Sequence, residues 1–201
     1  MLKSNEVYGV VDLETLGFGQ TAIVMSVAIN AWTPHLLLLK DSCDITHMPK
    51  FQSAHVILPI ERQEKDGRTV GVSTIAWWSL QSNRELINLS YAASDIEAKL
   101  LLLDQFMRKY GVKYLIGNSP AFDNAILRSL FAQYDFDFPI SFRNDIDLRT
   151  LKHVSGIDKF QPMQLTAHDA WNDVVYETWC IKQMLKAHSG ADCVAAIKQE
   201  D

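Results

Sequence analysis

The sequence is poor in cysteine: Cys43, Cys180 and Cys193 are an odd number with no CxxC spacing. They suggest neither a disulfide scaffold nor a zinc site, and a reducing cytoplasm is the expected setting. No apolar run approaches the roughly 20 residues of a membrane span. The opening MLKSNEVYGVVDLE carries charges every few residues and no signal-peptide core, so no membrane partner or secretion is expected. Internal repeats and low-complexity linkers are missing too, and 201 residues fit one domain, expected to run from 1 to 201. Positive charge is also short: 19 Lys and Arg against 24 Asp and Glu give a formal net charge of −5. Sequence-independent affinity for nucleic acid comes from cations that neutralise phosphates, so a protein that coats long tracts is disfavoured. One that grips a chain end is not, and two bound divalent cations would bring the formal charge from −5 to about −1.

What is present is a globular composition, 48% hydrophobic and 21% charged, with five Trp and nine Phe to fill a core. Glu6 to Leu13, EVYGVVDL, is a nearly continuous apolar and β-branched run, which predicts a central strand covered on both faces. Ala22 to Trp32 predicts a second strand, antiparallel to the first across a loop holding Gly17 and Gly19, and Phe51 to Ile60 a third. Within 33–50 the run LLLL at 36–39 either extends a strand or begins an excursion. After the turn EKDGR at 64–68, STIAWWSLQS predicts a helix capped by Ser73. Ser94 and Glu97 form a capping box for the next helix, where Ile96, Leu100, Leu103 and Met107 recur before Gly111 ends it. A short strand at Lys113 to Ile116 follows, then a helix to about Tyr134 with Ser119 and Pro120 suited to N-cap and N1. A short strand around Asp145 to Leu148 and a helix from about Ala170 to Ala187 complete the chain. A meander followed by alternating strands and helices predicts an α/β fold, a mixed central sheet flanked by helices.

Asp12 and Glu14 close the first strand, and residues i and i+2 of a strand share a face, so two carboxylates converge there. An acidic pair at a strand end is often only a solvated edge. This strand is too apolar for an edge, and strand ends in an α/β sheet are where sites are built. Asp123 heads the apolar stripe of Leu127, Leu130, Phe131 and Tyr134. Burying an unpaired carboxylate costs several kcal/mol unless a cation compensates, although an acid at a helix start is also explained by the helix dipole. Asp173 leads Tyr176, Cys180, Ile181 and Met184 in the same way, with Glu177 the exception on that face. His168 lies five residues earlier, about 140° around a regular helix, so it belongs on the preceding turn with Asp169 as N-cap. Adjacent Trp77 and Trp78 would sit about 100° apart on a helix, so either both pack or one is left to stack on a base.

As an ordered set, Asp12-x-Glu14, Asn118-x4-Asp123 and His168-x4-Asp173 resemble the DEDD exonuclease superfamily in its histidine-containing DEDDh branch. The blocks VVDLETLG, STIAWW, NSPAFDNAILRS, DLRT and AHDAWNDV are similar to the phage DexA-type 3′-to-5′ exonucleases and their exoribonuclease relatives. They run collinearly over most of the chain and leave out 33–50; Trp171 and Asn172 stand where the family pattern has small residues. The resemblance implies a ribonuclease H-like fold and hydrolysis of single-stranded RNA or DNA from the 3′ end to nucleoside 5′-monophosphates. It implies that Asp12, Glu14, Asp123 and Asp173 hold two Mg²⁺ or Mn²⁺ ions, one activating water and one stabilising the leaving 3′ oxygen. His168 is then the general base and not a ligand, Thr15 hydrogen-bonds the terminal nucleotide, and Leu16 wedges against its base. Asn118, Phe122 and Trp77 are further candidate substrate contacts. Asp147, Arg149 and Thr150 form a supporting element, with Asp147 in reserve should Asp173 not be a ligand. The expected partner is a single-stranded 3′ end, engaged by a monomer or homodimer.

Two other readings compete. A haloacid dehalogenase-type phosphatase also begins with an acid, spacer and acid at a strand end, but its second acid is normally Asp and its later Lys and acidic pair have no convincing counterpart here. A non-catalytic nucleic-acid-binding module on a decayed nuclease fold has no reason to keep four acids and the histidine together.

Overall fold

The computed structural model describes residues 2–38, 52–157 and 168–188. Five strands, β1 (Val7–Thr15), β2 (Val24–Trp32), β3 (Gln52–Ile57), β4 (Val112–Gly117) and β5 (Asp145–Asp147), form one sheet in the order β3-β2-β1-β4-β5. β1 is central because it is apolar on both faces. It pairs antiparallel with β2 and parallel with β4, while β2–β3 is antiparallel and β4–β5 parallel. The mixed sheet expected from the alternation of elements is therefore the one found.

The helices are α1 (Pro34–Leu38), α2 (Ile60–Lys65), α3 (Val72–Trp78), α4 (Glu85–Ala92), α5 (Ile96–Lys109), α6 (Asp123–Gln133), α7 (Leu148–Val154) and α8 (Ala170–His188). Strand alternation divides the core between the two faces of the sheet. Val11 and Leu13 pack with Leu100 and Leu103 of α5 and Leu127 and Phe131 of α6. Tyr8 and Val10 pack on the other face with Leu148 of α7 and Val174, Ile181 and Met184 of α8. Asp12 and Glu14 share the parity of Tyr8 and Val10, so they are turned toward α8. A third cluster under α2, α3 and α4 joins Leu16, Ile23 and Met25 to Ile60, Trp78 and Leu86.

Several local expectations shift. Strand three closes at Ile57, and α2 begins straight after Pro59, whose fixed φ suits a helix start. α3 is capped by Gly71 and not by Ser73, and α4 was not foreseen. The N-cap of α5 is Asp95, whose side chain accepts from the Ala98 amide, displacing the Ser94 box by one residue. α6 starts at Asp123, because Ser119 and Pro120 spend a tight turn first: the Ser119 carbonyl accepts from both the Phe122 and Asp123 amides. Residues 36–38 of the LLLL run belong to α1, and 39–50 lie outside the described residues, as does Phe51.

Candidate active site

The C-terminal end of β1 delivers two carboxylates to the α8 face, Glu14 buried and Asp12 half-buried. Asp123 arrives from the neighbouring strand, since β4 ends at Gly117, which pairs with Val11. A methyl group on Gly117 would sit 2.5 Å from Asn124 Oδ1 and 3.3 Å from Asp123 Oδ2, so only glycine lets the start of α6 close on the sheet. Asn124 Nδ2 donates to the Leu115 carbonyl at 3.2 Å and locks that approach. Asp123 Oδ2 then accepts from the Ser119 amide at 3.2 Å.

Asp173 comes from the first turn of α8 and lines the same cavity. Asp169 is the N-cap, as expected: its Oδ1 accepts from the Asn172 amide at 3.1 Å and its carbonyl from the Asp173 amide at 2.9 Å. His168 precedes it on the turn with φ +60°, the left-handed region that few residues other than glycine occupy. The Trp77 ring meets the imidazole edge-on at 4.6 Å. Ligand atoms of Glu14, His168 and Asp173 lie within 4.8 Å of one another.

Asp12, Glu14, Asp123, Asp173 and His168 all line one cavity of about 510 Å³, with Thr15, Asn118, Phe122 and Trp77 in its wall. Leu16, expected as a wedge, is not in that wall. The register shifts between Glu14 and Thr15, the Leu16 amide pairs with the Ile23 carbonyl, and its side chain turns into the cluster with Met25, Trp78 and Leu86. Phe18, two residues later, is instead an exposed apolar side chain at the cavity, with its ring 6.3 Å from that of Phe122. The tryptophans divide their work. Trp78 is buried and donates its indole N–H to the Thr15 carbonyl at 2.9 Å, while Trp77 is 38% exposed at the cavity. Asp147 caps α7 by accepting from the Arg149 and Thr150 amides, and Arg149 rather than Asp147 reaches the cavity.

Sequence reasoning passed over Glu177 as an exception on an apolar face. It is buried one turn below Asp173, and its Oε2 has no hydrogen-bond partner among the described residues. The i, i+4 spacing from Asp173 was the available signal. Burial, followed by repulsion from Glu177, Glu14, Asp123 and Asp173, pushes the Asp12 carboxyl well above the usual range. Burial and the charges of Asp173, Asp169 and Asp123 raise Glu14 to about 9. Burial raises Asp123 to about 6 against the pull of the Ser119 amide, and burial raises Asp173 and Glu177 as well. No lysine or arginine ion-pairs with any of these acids among the described residues. Clustered buried carboxylates without paired cations suit hard divalent metal ions, which supply the missing positive charge through oxygen ligands.

Residues 8–185 match the model of the 3'-5' exoribonuclease Rv2179c-like domain family. Among solved structures, the chain is similar to cell-death related nuclease 4 (CRN-4), with a TM-score of 0.59 and 14% identity over 91% of this chain and 64% of that one. It is also similar to the zinc-bound form of the E. coli ExoI–ssDNA complex, with a TM-score of 0.53 and 15% identity over 92% of this chain and 41% of that one. The chain thus spans less than two thirds of the length of either structure. No curated protein matches it. The structural likeness establishes the ribonuclease H-like fold, and the family match agrees with the DEDD exonuclease resemblance carried by the motifs.

Proposed function

The chain belongs to the Rv2179c-like 3'-5' exoribonuclease domain family, and from that premise we propose that it shortens single-stranded nucleic acid from the 3′ end, releasing nucleoside 5′-monophosphates. One observation carries this reading: four carboxylates from three separate elements and the imidazole of His168 face a single cavity. Asp12, Glu14, Asp123 and Asp173 would hold two Mg²⁺ or Mn²⁺ ions. When bound, these ions supply the charge that offsets the scissile phosphate and its transition state.

The remaining work falls to the chain itself. His168 accepts the proton of the attacking water, since its ring lies with the Glu14 and Asp173 carboxylates in a group whose ligand atoms are within 4.8 Å of one another. Phe18, Phe122 and Trp77 offer aromatic faces on which unpaired bases stack, each stack being worth about 1 to 3 kcal/mol. The Thr15 hydroxyl donates to the Gly17 carbonyl at 2.7 Å, which leaves its lone pairs for a substrate hydroxyl. Asn118 lines the same wall, and Arg149 brings a cationic group for phosphate.

The test uses 5′-labelled RNA and DNA oligomers of equal sequence with Mg²⁺, Mn²⁺ or EDTA. A descending ladder that requires a cation and disappears with Asp12→Ala is expected; immediate release of a 5′ mononucleotide would reverse the polarity. His168→Ala should lose kcat by about 10²- to 10⁴-fold with KM little changed. Unaltered kcat in that variant would remove His168 from the reaction.

A further inference from the structure

His168 holds a left-handed backbone conformation with φ +60°, a local strain that persists only where the surroundings impose it. On its C-terminal side the turn is held by Asp169 and the start of α8. From across the sequence, Asn83 Nδ2 donates to the His168 carbonyl at 2.7 Å. Asn83 is half-buried in the turn between α3 and α4, and its neighbours are fixed independently of His168. Trp78 is tied to the Thr15 carbonyl at the end of β1, Leu86 is buried beside Leu16, and Ser90 donates to the Leu58 carbonyl. The segment from α3 to α4 is therefore anchored to the strand end that carries Asp12 and Glu14, and it reaches the histidine turn twice, through Trp77 on the ring and Asn83 on the carbonyl.

We propose that Asn83 is a positioning residue for His168: its amide fixes the strained turn so that the imidazole, resting on Trp77, stays over the carboxylate cavity. Because the carbonyl and the Cα–Cβ bond belong to one residue, restraining the carbonyl restrains where the ring points. This role rests on the reading of His168 as the base. It assigns to an otherwise ordinary turn residue the task of keeping a group on the turn before α8 in register with acids on β1.

The experiment measures kcat and KM on a short 5′-labelled single-stranded RNA for the wild type, Asn83→Ala and Asn83→Asp, each also combined with His168→Ala. Hydrogen exchange of the peptide covering 168–173 is followed in parallel. Aspartate keeps the shape but turns an acceptor toward the carbonyl, so both variants lose the bond, and their thermal melting reports whether they fold. Each is expected to exchange faster at 168–173 and to lose kcat about 5- to 20-fold, with KM within about twofold. In the His168→Ala background either substitution should change kcat by less than about twofold. Equal losses in both backgrounds would show a merely structural residue and overturn the proposal, as would unchanged exchange or unchanged kcat when His168→Ala is impaired. If His168→Ala itself keeps wild-type kcat, the base reading fails first and the role of Asn83 falls with it.

Discussion

Glu177 is where burial and charge oppose each other most directly. It is 3% exposed, and Asp123 and Asp173 repel it more than Lys152 and Arg149 can offset, so the carboxyl holds its proton well above the usual range. Glutamine has nearly the same shape and cannot ionise. Glu177→Gln should therefore leave the melting temperature of the metal-free protein almost unchanged at pH 4, below the ordinary glutamate value of 4.5, where the glutamate is protonated in the folded protein and largely so in the unfolded chain. At pH 9 the glutamate is driven toward ionisation and the glutamine is not, so the variant should melt higher, by about 2 to 4 °C for each kcal/mol relieved. A difference that stayed constant across that range would mean that the Glu177 charge is not under strain. The same substitution tests whether Glu177 belongs to the working set of acids, through Mn²⁺ affinity measured by calorimetry.

At the scale of elements, β4 and the start of α6 behave as one part. Gly117→Ala would drive a methyl group against Asn124 Oδ1 and the Asp123 side chain, moving the carboxylate or the helix by a few tenths of an ångström. Overpacking of this kind costs about 1 to 3 kcal/mol, and misplacement at a reacting centre reaches 10²-fold in rate at about 1 Å. Gly9→Ala is the matched control, because its methyl group would meet Val112 Cγ1 at 2.9 Å, remote from the cavity. Both variants should lose stability on denaturant titration, and only Gly117→Ala should also lose about 10- to 100-fold in kcat. Equal activities in the two folded variants would remove the close approach of α6 from the account of the site.

What could be read from the sequence follows the same division. Asp12, Glu14, Asp123 and Asp173 were legible because strand alternation and helical period are local, and each acid interrupts a strong apolar pattern. Leu16 misled because its direction depends on the irregular pairing of β1 with β2, a non-local fact that turns Leu16 inward and leaves Phe18 at the cavity. Glu177 was legible in position but not in meaning, since that depends on Asp12 arriving from another element. Helix starts moved by one to three residues wherever a turn intervened, as at Ser119 and Pro120, which changes caps without changing the face a helix buries.

For the whole molecule the acid cluster couples stability to pH and to cations. A carboxyl raised in the folded state binds its proton more tightly there than in the unfolded chain. Its contribution is complete below the unfolded value and is lost as pH rises through the folded one. For Asp123 that window runs from 3.8 to about 6, and for Glu14 from 4.5 to about 9. His55 works the other way in acid, because burial pushes its imidazole below 6.5, and Cys180, raised by burial to about 11, begins to lose its contribution only above its ordinary 9. Among the described residues the interval from pH 6.5 to 9 lies above the Asp123 window and reports Glu14 with the other raised acids, and the metal-free protein should melt at progressively lower temperature across it. Divalent cations held as proposed would bind the deprotonated acids, so Mn²⁺ should raise the melting temperature more at pH 9 than at pH 6.5 and flatten the curve. Binding should also release protons at pH 7, which calorimetry detects as a heat that changes with the ionisation enthalpy of the buffer. Melting that rises from pH 6.5 to 9 without metal, or binding heats independent of buffer, would show that these carboxyls are already ionised. The cavity would then be a solvated acidic surface and not a site held ready for cations.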